Sequence, residues 1–189
     1  MKKYIAIFLL ILTIFTLVSC NKSDEIELGE GLKLAGKQAG NEAVQYSFTY
    51  PEEWELCRND GVIEIQYDCD DSATTAKFAT VSILAFDLED ASQLAKDYWE
   101  SHEADLKSLY TDYKLLDTEE LVEDGKKLGN TVALKLKYSG SLNGISYFNE
   151  QIICCRSGSV YLITLVVPSE YESKVSDVLE TIRKDFIFE

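Results

Sequence analysis

The chain has 189 residues, with 18 Lys plus Arg against 33 Asp plus Glu, a formal net charge of -15. So large an acidic excess repels polyanions and excludes a nucleic-acid footprint, while one His and two Pro exclude His-rich metal sites and Pro-rich recognition segments. With 46% hydrophobic residues the chain can bury a core, which leaves an acidic globular domain of ordinary single-domain length.

Met1-Lys2-Lys3 precedes an apolar run from Tyr4 to Val18 that only Thr13 and Thr16 interrupt. A basic start, a short apolar core and small residues before a polar stretch read as an export signal. The run is shorter than the ~20 apolar residues of a spanning helix. Leu17-Val18-Ser19-Cys20 resembles the bacterial lipobox, in which the Cys thiol is alkylated with diacylglycerol and the signal is cut just before it. The expected division is a signal peptide over 1–19, a lipidated N-terminus and flexible linker over 20–44, and a folded domain over 45–189. Buried acyl methylenes contribute ~0.8 kcal/mol each, and two chains make the anchoring stable. The expected address is therefore a bacterial cell membrane, with the domain facing outside the cytoplasm. Gly29, Gly31, Gly36 and Gly40 mark the linker, whose reach is roughly 25 Å by square-root scaling. A short strand fits near Ile26 to Leu34.

Beyond Gln45, Tyr46, Phe48 and Tyr50 alternate with Ser47 and Thr49, and Pro51-Glu52-Glu53-Trp54 turns the chain: strand, turn, strand. Asn59-Asp60-Gly61 signals a hairpin between Glu55 to Arg58 and Val62 to Tyr67. Phe78 to Phe86 is apolar on both faces, as a central strand is. Asp90 with Gln93 forms a capping box, opening a helix whose apolar stripe is Ala91, Ala95, Tyr98, His102, Leu106 and Leu109. Tyr113 to Val122 reads as the next strand. Thr131 to Tyr138 alternates, with Val132, Leu134, Leu136 and Tyr138 inward and its other face in water. Ile145 to Cys155 and Val160 to Val167 form a hairpin around Arg156-Ser157-Gly158-Ser159, ended by Pro168. Ser169 then caps a final helix, with Glu172 at the box position and Tyr171, Val175, Val178, Leu179, Ile182 and Phe186 on one face. Many strands joined by short turns, with two separated helices, give an α+β domain with a mainly antiparallel sheet.

The stretch Tyr46-Ser47-Phe48-Thr49-Tyr50-Pro51-Glu52-Glu53-Trp54 resembles the opening strand and Pro-x-x-Trp turn of the PsbP-like family. Tyr161-Leu162-Ile163-Thr164, Pro168 and Phe186 resemble its closing Tyr-x-x-Thr strand and terminal aromatic. The resemblance covers Gln45 to Glu189, and its motifs are structural. It implies an antiparallel sheet flanked by two helices, used as a non-enzymatic binding or assembly module for an envelope protein or a small ligand.

Chemistry is sparse. Cys57, Cys69, Cys154 and Cys155 follow the lipobox; an exported setting permits disulfides, and the four allow three connectivities, with free thiols as the alternative. Cys154 and Cys155 are adjacent on a strand, so they point to opposite faces. No C-x-x-C spacing supports a redox or metal site. Asp68, Asp70 and Asp71, with Asp60 and Glu64 nearby, crowd carboxylates into a loop that is a weak calcium candidate, lacking EF-hand spacing. No other cofactor is indicated. His102 reads as a buried or rim histidine without a nucleophile partner, and no catalytic residue is assigned. Gly140-Ser141-Leu142-Asn143-Gly144 reads as a hairpin loop, and Tyr98 and Trp99 read as core aromatics or the lining of a groove.

Overall fold

A computed structural model of the chain describes residues 26–27, 32–35, 46–59, 62–70 and 77–188. The signal segment, Cys20, most of the linker, the turn residues Asp60 and Gly61, and Asp71 lie outside the described residues.

The strand alternations build a large sheet from β4 (Glu55–Asn59), β5 (Val62–Asp68), β6 (Phe78–Asp87), β7 (Thr111–Leu121), β8 (Ala133–Leu142), β9 (Ile145–Arg156) and β10 (Ser159–Pro168). Their order is β4-β5-β6-β10-β9-β8-β7, and every neighbouring pair is antiparallel. β10 lies at the centre, which is why both its faces are buried and its sequence is nearly all apolar. Ser157-Gly158 closes the β9–β10 hairpin and Asn143-Gly144 the β8–β9 hairpin, all four with positive φ, as two-residue turns with matching twist require.

One face of this sheet meets α1 (Ala95–Leu109). Tyr98, Trp99 and Leu106 pack there on Leu134, Leu136, Tyr138, Ile153 and Leu162. The opposite face carries Ile63, Ile65, Val81, Ile83, Ile163 and Leu165, and packs on α2 (Val178–Lys184) and a second, smaller sheet. That sheet joins β1 (Ile26–Glu27), β2 (Leu32–Ala35), β3 (Tyr46–Pro51) and β11 (Ile187–Phe188). Tyr46, Phe48 and Phe186 stack within it, with ring centroids 5.2 to 6.3 Å apart. Each fully buried apolar side chain contributes roughly 2 kcal/mol, so the central sheet is stabilised from both sides. The α+β class, the mainly antiparallel sheet and the two flanking helices agree with the sequence.

Several local expectations are corrected. Asp90 does not cap α1: its Oδ1 accepts the Ser92 N–H and hydroxyl in a turn, and the helix starts five residues later. Ala91 is exposed, and Trp99 joins the buried stripe instead. Val132 is 51% exposed because β8 begins one residue after it. The other face of β8 is not simply wet, since Ala133 is buried there and Lys135 is half-buried against Glu119. Gly140 to Leu142 belong to β8 and not to the loop. The final helix is two pieces, a 3-10 helix over Ser169–Lys174 and the short α2, because Val175 adopts a non-helical conformation between them.

Candidate functional site

Where β6 ends, the chain loops over the sheet edge before entering α1, and the loop, the strand end and one flank of the helix enclose a groove of about 700 Å³. Its walls carry Asp87, Glu89 and Asp90 from the loop side and Asp97, Ser101 and Asp105 from the helix side. Its base is aromatic. Phe86 lies 6.2 Å from the Tyr98 ring, and the His102 ring stacks on Tyr98 at 4.2 Å with a 19° tilt. Helical spacing places Tyr98, Ser101, His102 and Asp105 along one flank. Tyr98 belongs at once to the core beneath α1 and to the groove; Trp99 is buried in that core and does not line the groove.

The carboxylates differ in their local support. Asp87 accepts the Ser159 hydroxyl at 3.2 Å, and Asp97 accepts the Leu94 N–H at 3.4 Å. The Ser92 hydroxyl and N–H hold the Asp90 carboxyl below its ordinary range. Burial raises the Tyr98 phenol well above its usual value, so it stays neutral.

His102 lies in the groove rather than against the sheet, yet its chemistry is spent locally. Its Nδ1 sits 2.8 Å from the Tyr98 carbonyl and 3.0 Å from Ser101 Oγ. The Ser101 hydroxyl donates to the same carbonyl at 2.8 Å. Nδ1 therefore donates its proton, and Ser101 has no base to activate it.

The other sequence candidates do not meet in this groove, apart from one neighbouring thiol. Cys154 is fully buried on the α2 side of β9, where burial pushes its thiol up to about 12; Cys155 faces α1, where burial and then Asp97 push it up to about 11. Cys69 is buried, and its thiol is raised by that burial. Cys69, Cys154 and Cys155 are free thiols. Cys57 is buried on β4, paired in register with Glu64. None of the free thiols has the lowered pKa of a reactive site.

Around the acidic loop, Tyr171 Oη donates to Asp70 at 3.1 Å, and Lys174 Nζ donates to the Cys69 carbonyl at 2.7 Å. Lys77 stands over the same Tyr171 ring at 5.3 Å. Asp70 thus accepts from a phenol whose ring carries the Lys77 and Lys174 ammonium groups. Glu64 is not part of the loop, being buried on β5. Among the described residues no three His, Cys, Asp or Glu side chains are placed to hold one metal ion. The groove's acids form no motif that marks a site in the sequence, where Asp90 reads as a helix cap. The signal available was the run Asp87-Leu88-Glu89-Asp90 followed by Asp97 and Asp105 on one helical flank.

No family model and no curated sequence matches the chain. Solved structures do. LpqN of Mycobacterium tuberculosis, described as involved in cell envelope biogenesis, superposes with a TM-score of 0.60 at 15% identity, over 83% of this chain and 91% of that one. The cyanobacterial PsbP of Synechocystis sp. PCC 6803 gives 0.57 at 16% identity, over 92% and 99%. PA94 of Pseudomonas aeruginosa, a protein of unknown function, gives 0.51 at 14%, over 71% and 85%. At these identities the likeness is one of architecture, and the architecture is the PsbP-like fold.

Proposed function

We propose that this chain is a lipid-anchored extracytoplasmic domain that binds its ligand without transforming it. Acylated Cys20 holds it on the outer face of a bacterial cell membrane, and the α1 groove receives an envelope protein or a small ligand. The observation that carries the binding role is the groove's composition. It is a concavity with an aromatic base and an acidic rim, and it sets no base against a nucleophile. The address is supported by Leu17-Val18-Ser19-Cys20. It is also supported by the structural likeness to an envelope-biogenesis protein. No described helix is long and apolar enough to cross a membrane.

The test is photo-cross-linking in native membranes, with the photoreactive group placed at Ser101 in the groove or at Lys184 on α2. Capture of one defined species from Ser101 and not from Lys184 is the expected result. Equal labelling from both positions, or none from either, would count against the groove. In parallel, Cys20→Ser should leave an unprocessed, unlipidated precursor, and a lipidated product would overturn the anchoring.

A further inference from the structure

We propose that the α1 groove accommodates a linear organic polyamine, an alkyl chain with ammonium groups at its ends. The inference rests on the groove being the binding site, and adds the chemistry of the occupant.

The shape of the site argues for a ligand of small-molecule size. A concavity of about 700 Å³ falls in the range of small-ligand pockets and is lined on two opposed sides. Phe86 and His102 are half-buried rings around the buried Tyr98, and against them methylene groups lose contact with water and an ammonium finds an aromatic face.

Charge then selects the sign. Among the described residues Asp87, Asp90, Asp97 and Asp105 make no ion pair, and no described Lys or Arg lines the groove. Several acids elsewhere are answered, Glu119 by Lys135 and Lys126, Glu170 by Lys77, and Glu180 by Arg183 and Lys184. A net charge of -15 further steers a cation toward this surface.

Spacing selects an extended cation over a metal ion. The carboxylates do not converge on a point. Asp97 and Asp105 lie on the same flank two turns apart, about 12 Å along the helix axis. One ion cannot reach both, but a triamine bridges that span with its methylenes against the half-buried Phe86 and His102 rings.

Calorimetric titration of the full-length protein in detergent, at low salt, with spermidine, the shorter diamine putrescine, calcium and a lysine-rich peptide tests this. Spermidine should bind at micromolar to submillimolar concentration, more tightly than putrescine or calcium, and more weakly as salt rises. Asp105→Asn, at an exposed position, should weaken spermidine about fivefold while leaving the melting temperature in place, and Asp97→Asn should weaken it as much with a small fall in melting temperature, because Asp97 also accepts the Leu94 N–H. Spermidine affinity unchanged in both variants, calcium binding as tight as spermidine, or no heat at millimolar spermidine would overturn the proposal. Tighter binding of the peptide would also overturn it in favour of a basic protein segment. Failure here together with specific capture from Ser101 refutes the polyamine alone; failure of both refutes the groove itself.

Discussion

Glu64 shows how one carboxyl can sit where the sequence pattern does not place it. In Val62-Ile63-Glu64-Ile65 the alternation puts it on the face away from Ile63 and Ile65, beside an acid-rich loop, which reads as solvated. In the fold it is 6% exposed, and Gln66 Nε2 donates to its Oε1 at 2.6 Å. The sequence could not show this burial, because it depends on sheet neighbours brought from elsewhere in the chain: Ser82 on β6 and Cys57 on β4. Burial raises the Glu64 carboxyl, and the Gln66 hydrogen bond offsets only part of that. A carboxyl with a folded pKa above its unfolded value holds its proton more tightly when folded. Ionised at neutral pH it costs stability, and that cost disappears as pH falls through the folded value towards 4.5. Glu64→Gln keeps the acceptor oxygen and removes the charge. It should raise stability at pH 7 by about 1 kcal/mol, and the gain should vanish near pH 4. Denaturant melts at the two pH values would check it, and a variant less stable than wild type at pH 7 would refute the burial argument.

At the scale of elements, the legible features are those set by local period and turn chemistry. The β9–β10 hairpin follows from Ser157-Gly158 between apolar runs, and the stripe of α1 from Ala95, Tyr98 and Leu106. The start of α1 was not legible, since Asp90 and Gln93 satisfy the sequence rule for a cap while Asp90 is held in a turn with Ser92. The residue that does cap is Leu94, extended at φ -88° and ψ 159°, with a side chain that accepts nothing. Among the described residues the Asp97 carboxylate, which accepts the Leu94 N–H, is the side chain that supports that end. Leu94→Ser supplies the missing acceptor to the first-turn N–H groups, and removes an apolar side chain that is 66% exposed. It should stabilise the domain by about 1 kcal/mol, seen as a higher melting temperature. An unchanged or lower value would mean that the leucine makes a contact worth more than a cap. The groove was less legible still, because its acids come from a strand end, a loop and a helix flank, and only the fold sets them around one cavity.

At the scale of the whole molecule, two sheets were not visible in the sequence, because the smaller one is closed by its most distant partners. Ile187 pairs with Ser47 and Phe188 with Tyr46, so β11 completes a sheet begun at the other end of the domain. No local period marks a two-residue strand. The C-terminal segment then does more than cover a face. Leu179 and Ile182 of α2 and Phe186 fill the core between the two sheets, Phe188 lies edge-on to Tyr161 at 4.8 Å, and Arg183 fixes the β7–β8 turn through the Gly125 and Lys127 carbonyls. Removing Ser169 to Glu189 would therefore uncover Tyr46, Phe48 and Ile163 together, and leave β3 without a partner on one edge. The groove lies on the opposite side of the large sheet, formed by β6, the loop and α1, none of which is deleted. If the two cores fold as one cooperative unit, the truncated chain loses the groove with the rest, expands, and binds apolar dyes. Size-exclusion chromatography with dye fluorescence would register this. A truncated chain that stays compact and monomeric, with its near-ultraviolet dichroism intact, would mean that α1 and the large sheet fold without the inter-sheet core, contrary to the two-sided packing that the aromatic contacts describe.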